Sequence, residues 1–266
     1  MMFKDFTKDF DFILDKLKNK ENFAFSRFSD GELFILKNET LVLANDHFIT
    51  GARTGKNIYT EEEHKAFYPD QHEKYQHKLV ETFRHNQHNY FKGICTATDG
   101  HVGKENFNWM LDFHGGDHKN LTFANLLINA NYKRFVHEII PVLRNRKIIY
   151  VVNRLANTDN LPFAIQKKFL IGSNCMIDNY DTAALVRDYI KQNKLTDHII
   201  LCSAASLSNF IIHDCYKDNP NNTYLDIGSC LNPLLNLEGW KHTRGYLTSY
   251  WYGVNNHFGQ QVDIWN

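Results

Sequence analysis

The second half of the chain alternates apolar strands with helices, and this alternation limits the possible fold more than any other feature. The hydrophobic pattern predicts strands over residues 147–152, 169–172, 198–202 and 223–229, and helices over residues 181–193 and 207–216. Strands that alternate with helices are joined by right-handed crossovers and form a mostly parallel sheet. We therefore expect an α/β, Rossmann-like fold flanked by helices, with a ligand crevice at the carboxyl ends of the strands.

A strand and a polar turn in the first half carry the most informative local pattern. Residues 23–28 alternate apolar and polar side chains, which predicts a short strand, and a helix-forming segment follows from Glu32. The strand delivers Arg27, Asp30 and Glu32 to one turn, where Gly31 can adopt backbone angles closed to other residues. Two carboxylates here suit a divalent cation, because Mg²⁺ and Mn²⁺ prefer oxygen ligands and keep positions open for substrate phosphates.

The same turn also has a purely structural interpretation. Ser29 or Asp30 can serve as the N-cap of the following helix. Glu32 would then lie in the first turn, facing the positive end of the helix dipole. Local sequence alone leaves the metal interpretation and the capping interpretation open.

Composition restricts the class of protein. The 266 residues are 43% hydrophobic, enough for a sizeable core in a single domain over residues 1–266. Thirty basic and thirty acidic residues cancel, which argues against a general nucleic-acid-binding protein. Five scattered cysteines favour free thiols in a reducing compartment. No apolar run approaches the roughly 20 residues of a membrane span, so we expect a soluble cytoplasmic protein.

The first half and the C-terminal tail are predicted less regularly. We expect an amphipathic helix over residues 2–19, a short strand over 41–43, a polar loop over 46–56, a helix over 61–89, a strand over 91–97 with a loop to His101, and a helix over 121–144. Residues 236–266 form an aromatic tail without clear periodicity. The tail either wraps the core or lines a ligand site, and we favour packing.

Residues 27–32, with the sequence Arg-Phe-Ser-Asp-Gly-Glu, resemble a known family signature. Bacterial glycosyltransferases with the GT-D fold carry a similar Arg-aromatic-Gly-Asp-Gly-Glu segment, whose Asp-x-Glu motif is tied to a divalent metal. Ser29 stands where that family usually has glycine.

The resemblance continues in order through the second half, so that it covers about residues 20–235. Four further segments resemble family motifs. Asn153-Arg154 resembles the family's Val-Glu-Gly-type turn, and Ser173-Asn174 with Tyr180-Asp181 resembles its Pro-Ser-x-Asn-Ala and Tyr-Asp segment. Residues 203–209 resemble its Gly-Pro-x-Ala turn before a helix, and residues 226–229 resemble its Asp-Ile-Gly-His. The chain departs from these motifs where Asn153 replaces an acidic residue, residues 204–206 replace Gly-Pro, and Ser229 replaces histidine.

The resemblance implies a metal-dependent glycosyltransferase that moves a hexosyl or pentosyl group. The expected donor is a nucleotide-diphosphate sugar, with UDP-sugar first, and the expected acceptor is a glycan or a glycoprotein. Asp30 and Glu32 would hold Mn²⁺ or Mg²⁺, and Arg27 would assist or orient the two carboxylates. Asp226, at a strand end, would be an acceptor-side base or would cap its own loop.

The expected contacts with the nucleotide sugar come from several strand ends. They are Arg27, Ser29, Asn153, Arg154, Asn174, Ser203, Ala204, Ser206 and Ser229. The turn over residues 203–206 opens a helix, where backbone N–H groups can bind phosphate. The cationic loop over residues 51–56 lacks P-loop spacing, but it can still contact donor or acceptor.

Two other functions remain compatible with the same residues. A phosphate-ester hydrolase or nucleotidyltransferase would use the same metal and release phosphate or pyrophosphate. A sugar-nucleotide-binding module would bind the ligand without turnover, and it would tolerate Glu32→Gln.

Overall fold

The computed structural model describes residues 1–99 and 102–266. The strands are β1 Ala24–Phe28, β2 Leu41–Leu43, β3 His47–Thr50, β4 Arg53–Lys56, β5 Lys65–Phe67, β6 Tyr90–Ile94, β7 Leu121–Phe123, β8 Lys147–Asn153, β9 Lys167–Ile171, β10 His198–Cys202 and β11 Thr223–Asp226. The helices are α1 Phe6–Lys18, α2 Asp30–Leu36, α3 Pro69–Arg84, α4 Gly103–His114, α5 Tyr132–Arg134, α6 Ile140–Leu143, α7 Cys175–Asp178, α8 Thr182–Gln192, α9 Ala205–Asp218, α10 Trp240–Thr243, α11 Gly245–Tyr252 and α12 Asn256–Gln260.

Seven strands form one parallel sheet in the order β7-β6-β1-β11-β10-β8-β9. In the first half of the chain, β6 and β7 are added in turn on one side of β1. In the second half, β8 starts on the other side, and β10 and β11 fill the space between β8 and β1. The strand order therefore reverses next to β1, and this is where open α/β sheets bind ligands. The predicted α/β fold with a mostly parallel sheet and flanking helices is confirmed.

Each face of the sheet covers its own hydrophobic core. Successive side chains of a strand point to opposite faces. Accordingly, Phe25 and Leu225 pack in one core, whereas Phe28 and Tyr224 pack in the other. All five residues of β10 are buried, as expected for a central parallel strand that is covered on both faces.

A second, four-stranded antiparallel sheet is inserted between α2 and α3, in the order β4-β3-β2-β5. The polar loop predicted over residues 46–56 is therefore wrong, since these residues form the hairpin of β3 and β4. The helix predicted over residues 61–89 is also partly wrong. A 3₁₀ turn at Glu61–Glu63 and strand β5 occupy its first part, because β5 pairs with β2.

The helix predicted over residues 121–144 begins later than expected. Residues 121–123 form the edge strand β7 beside β6, and the helical segment covers residues 129–143, with a 3₁₀ turn at Asn129–Asn131 and a π turn at Phe135–Ile139. Gly93 permits this pairing, because a Cβ there would lie 2.7 Å from the carbonyl oxygen of Phe123. The loop expected after β6 extends to Gly100 and His101, which lie outside the described residues.

The aromatic tail packs on the body of the protein. Trp240, Tyr246 and Leu247 are buried in the same core as Phe25, and Trp265 contacts Phe123 edge-on. The expected packing is confirmed, although the tail forms the three short helices α10 to α12. Over the two described ranges, none of the helices has the length and apolarity needed to cross a membrane.

Candidate functional site

A cleft of about 820 Å³ lies at the carboxyl ends of the parallel strands. The inserted sheet forms a second wall, and residues of α10 and α11 form a third. The cleft brings together nine of the residues expected to form the site: Arg27, Ser29, Asp30, Glu32, Asn153, Ser203, Ala204, Asp226 and Ser229.

Glu32 is held firmly within the turn between β1 and α2. Ser29 is the N-cap of α2, and its backbone N–H donates to Oε2 of Glu32 over 3.0 Å. The hydroxyl of Ser206 donates to Oε1 of Glu32 over 2.6 Å. Because Glu32 is only 7% exposed, these contacts fix the orientation of its carboxylate. The structure confirms the capping role. Oε2 also accepts the hydroxyl of Ser29 over 3.3 Å, so Oε1, which accepts one hydrogen bond, is the oxygen that retains a free lone pair.

Asp30 differs from Glu32 in its accessibility. Its side chain is exposed and lines the cleft, and its Oδ1 accepts the N–H of Gly31 over 2.9 Å. Of the two carboxylates in the turn, Asp30 is therefore the more accessible to a ligand in the cleft.

Arg27 lies beneath the turn and interacts electrostatically with Asp226. Its Nε donates to the carbonyl oxygen of Ala124 over 2.6 Å. Burial acts to lower the pKa of Arg27, but the carboxylate of Asp226 and other negative groups raise it above its ordinary value. Burial raises the pKa of Asp226 to about 6, although Arg27 opposes the rise. Arg27 thus remains charged, and Asp226 titrates near neutral pH.

Gly228 makes the position of Arg27 possible. Its φ is +51°, and a Cβ at this residue would lie 2.0 Å from Nη1 of Arg27. Its N–H also donates to Oδ1 of Asp226 over 2.9 Å. The turn after β11 therefore requires glycine for two reasons, the backbone angle and the space occupied by the guanidinium group.

The N-terminus of α9 faces the cleft and is joined to β1. The side-chain amide of Asn209 donates to the hydroxyl of Ser26 over 2.9 Å and to the carbonyl oxygen of Arg27 over 2.8 Å. Ser203, just before the helix, shares a 2.9 Å hydrogen bond with the hydroxyl of Tyr150. These contacts fix the helix terminus relative to the turn that carries Asp30.

Three of the expected nucleotide-sugar contacts lie away from the main cleft. Arg154 pairs with Glu61 at 3.7 Å, and Oδ1 of Asn174 accepts the N–H of Ala66 over 3.0 Å. Asn174 and Ser206 line a small neighbouring pocket instead. Asn153 does line the main cleft, where its Oδ1 accepts the N–H of Leu155 over 2.9 Å.

The cleft also contains residues that the sequence analysis did not assign to it. From the C-terminal helices come Thr243, Arg244 and Tyr246, and the hydroxyl of Tyr246 shares a 2.8 Å hydrogen bond with Ser229. The inserted sheet contributes Lys65, which no sequence motif indicated. The aromatic character of the tail and the cationic loop over residues 51–56 were the only hints of these two walls.

Acidic residues of the 3₁₀ turn connect the inserted sheet to the C-terminal helices. Oε1 of Glu62 accepts the N–H groups of Glu238 and Gly239 over 2.9 and 2.7 Å. Glu63 accepts the hydroxyl of Thr243 and lies 3.6 Å from Arg244. The two walls of the cleft are therefore joined directly to each other.

A second carboxylate pair lies close to the turn. The side-chain amide of Asn125 donates to both Asp99 and Asp263. Burial, and next the charge of Asp263, raises the pKa of Asp99 to about 7, and the charge of Asp30 contributes to the same shift. Asn125 lines the cleft, and the sequence did not indicate the two carboxylates that it contacts.

The carboxylate oxygens of the turn fit a hard divalent cation whose coordination shell a substrate would complete. In residues 1–99 and 102–266, no three or more His, Cys, Asp or Glu side chains are grouped so as to hold a metal ion. Mg²⁺ sites commonly use one or two carboxylates together with substrate phosphates and water. Asp30 and Glu32 supply such carboxylates, and Asp30 is the accessible one.

No family model and no curated protein sequence matches the chain. Its fold is similar to that of a structure described as selenomethionine-substituted domain of unknown function 1792, with a TM-score of 0.57 and 12% identity over 91% of this chain and 80% of that chain. A second structure, described as the highly conserved domain of unknown function 1792 with a distinct glycosyltransferase fold, gives a TM-score of 0.52 and 10% identity over 91% and 80%. A third, described as a new glycosyltransferase (DUF1792) from Streptococcus sanguinis, gives 0.52 and 12% over 87% and 82%. At these identities the similarity establishes the fold that the chain shares with them.

Proposed function

We propose that the protein is a metal-dependent glycosyltransferase that moves a sugar from a nucleotide-diphosphate sugar, with UDP-sugar as the expected donor, to a glycan or glycoconjugate acceptor. The observation that carries the proposal is the Asp30–Glu32 turn, which lies in a large cleft at the reversal point of the sheet. The similarity to structures described as glycosyltransferases supports the same proposal.

The two carboxylates have different roles in this proposal. Asp30 would hold a Mn²⁺ or Mg²⁺ ion from within the cleft, whereas Glu32 fixes the geometry of the turn and would offer the free lone pair of Oε1. When bound, the cation supplies Lewis-acid stabilisation of the negative charge that develops on the leaving diphosphate. Backbone N–H groups at the start of α9, together with Ser203 just before this helix, bind phosphate oxygens on the side of the diphosphate that faces away from the cation.

Asp226 acts as the acceptor-side base in this proposal. A general base is most effective when its pKa lies near the working pH, and the pKa of Asp226 is raised to about 6. Arg27 holds Asp226 in place and remains charged itself. Ser229, which follows β11, and Tyr246 of α11 form a hydroxyl pair that lines the cleft, and they are positioned to bind sugar hydroxyls.

A donor screen tests the proposal. The protein is incubated with UDP-, GDP- and dTDP-sugars and Mn²⁺, and release of nucleoside diphosphate is measured with and without EDTA. We expect slow release from one donor even without acceptor, and we expect EDTA and Asp30→Ala to abolish it. Release of inorganic phosphate or pyrophosphate instead would identify a hydrolase or nucleotidyltransferase. Tight binding without any turnover would identify a binding module.

A further inference from the structure

We propose that Lys65, on strand β5 of the inserted sheet, binds the diphosphate of the donor. The inference rests on the proposed function and extends it, because it assigns a ligand-binding role to the inserted sheet. It is carried by the position of the Lys65 ammonium group and by the distribution of charge in the cleft.

The ammonium group of Lys65 lies beside the turn that carries the two carboxylates. Its Nζ is 3.9 Å from the point that a Cβ on Gly31 would occupy. Lys65 also lines the small neighbouring pocket together with Ala205 and Ser206, the first residues of α9. It therefore lies between the Asp30 turn and the helix N-terminus, at the place where a diphosphate bound to both would lie.

The backbone of β5 fixes this position. Lys65 is opposite Leu43 in the antiparallel pair with β2, and the next residue, Ala66, donates its N–H to Asn174 over 3.0 Å. One side of the strand is thus bound to the inserted sheet, and the other is bound to the segment before α7. The side chain extends from a strand held on both sides, and its position does not depend on a free loop.

The charges of the cleft leave Lys65 available for a ligand. Among the described residues, all five carboxylates that line the cleft accept hydrogen bonds from other residues of the protein: Asp30, Glu32, Glu62, Glu63 and Asp226. Arg27 binds the carbonyl oxygen of Ala124, and Arg244 pairs with Glu63. Within the described ranges, by contrast, the ammonium groups of Lys56 and Lys65 make no hydrogen bond or ion pair, and Lys65 lies beside the Asp30 turn.

An ammonium group at this position suits the chemistry of a leaving diphosphate. Lysine presents a compact charge and three donors on a flexible stem. A fixed positive charge beside the departing group stabilises the negative charge that develops there, and it does so most strongly in a site that excludes water. Lys65 would therefore bind the phosphate oxygens from the side opposite the core strands.

Nucleotide affinity tests the assignment. Binding of UDP, GDP, dTDP and uridine is measured by isothermal titration calorimetry with Mn²⁺ for the wild type, Lys65→Met, Lys65→Arg and Lys191→Met. Lys191 is an exposed lysine of α8 outside the cleft and serves as the matched control. We expect Lys65→Met to raise the Kd for the preferred nucleoside diphosphate about tenfold or more, which corresponds to one charge-assisted contact. Uridine binding should not change, and Lys65→Arg should retain most of the affinity.

Three outcomes would overturn the assignment, and they differ in what they say about the proposed function. Equal nucleoside diphosphate affinity in Lys65→Met and wild type would remove Lys65 from the site and leave the proposed function intact. A parallel loss of uridine binding would show that Lys65 only supports the inserted sheet. If the wild type binds none of the three nucleoside diphosphates, the proposed function fails and the role of Lys65 fails with it.

Discussion

The hydroxyl of Ser206 donates to Oε1 of Glu32 over 2.6 Å, across a separation of 174 residues in the sequence. This contact joins the turn after β1 to the N-terminus of α9, so the two halves of the chain meet at one carboxylate. Glu32 is consequently a helix-capping residue that also lines the cleft, so the capping interpretation is compatible with the proposed metal site.

Ser206→Ala should weaken the protein and the site together. The substitution removes one donor from a buried carboxylate, which costs about 1–3 kcal/mol for a hydrogen bond to a charged group. Urea unfolding measures the free energy of unfolding, and donor hydrolysis measures activity. Thr122→Val is the matched control, because Thr122 donates its hydroxyl to the buried carboxylate of Asp9 over 2.6 Å and does not line the cleft, so it should lose stability but keep activity. A Ser206→Ala protein as stable and as active as the wild type would contradict the role of this contact.

Gly228→Ala should displace Arg27. The new Cβ would lie 2.0 Å from Nη1 of Arg27, in addition to the strain of an alanine at a φ of +51°. Gly253→Ala isolates the second effect, since Gly253 has a φ of +67° and no heavy atom within 4 Å of the added Cβ. We expect thermal melting to show a larger loss of stability for Gly228→Ala, and only this variant should lose activity. Equal effects of the two substitutions would mean that Arg27 adjusts without cost.

The Asp99 and Asp263 pair should make stability depend on pH. The pKa of Asp99 rises from 3.8 to about 7, with burial as the main cause and the charge of Asp263 as the next. The folded state therefore keeps a proton that the unfolded chain releases, and the resulting stabilisation is full below about pH 4 and is lost as the pH rises through 7.

Asp263→Asn tests this dependence, because it removes the neighbouring charge and lowers the pKa of Asp99. Urea unfolding between pH 4 and 8 should show a smaller decline in the free energy of unfolding for the variant, by about 1 kcal/mol. Identical slopes for wild type and variant would show that the two carboxylates do not interact.

Glu62→Ala should loosen the connection between the inserted sheet and the C-terminal helices. The substitution removes the acceptor for the N–H groups of Glu238 and Gly239. Hydrogen exchange measured by mass spectrometry should become faster over residues 238–244, and the KM for the donor should increase more than kcat changes. Glu73→Ala, at an exposed position on α3, should leave both measurements unchanged. Unchanged exchange in Glu62→Ala would mean that core packing alone holds the tail.

The sequence predicted those parts of the fold whose structure is determined locally. Strands β8 and β10 are continuous apolar runs that are buried almost throughout, so their pattern alone identifies them. The turn at Asp30 was predicted for a similar reason, because a strand pattern is followed directly by capping residues.

The remaining features depend on partners that are distant in the sequence. Strand β5 forms because β2 pairs with it. Strand β7 forms beside β6 because Gly93, a residue of β6 without a side chain, leaves room for the backbone at Phe123. Neither relationship appears in the local hydrophobic pattern. For the same reason, Lys65 and Tyr246 were not predicted as site residues, because the inserted sheet and the tail carry them into the cleft.

The most direct measurement of the proposed chemistry is the effect of Mn²⁺ on nucleotide affinity. The Kd for UDP is measured with Mn²⁺ and with EDTA for the wild type, Asp30→Asn and Asp5→Asn. Asp5 caps α1 outside the cleft and serves as the matched control. We expect Mn²⁺ to tighten UDP binding about tenfold or more in the wild type and in Asp5→Asn, and to have little effect in Asp30→Asn. If Mn²⁺ tightens UDP binding equally in Asp30→Asn and wild type, Asp30 is only a helix-terminal residue and does not bind the metal.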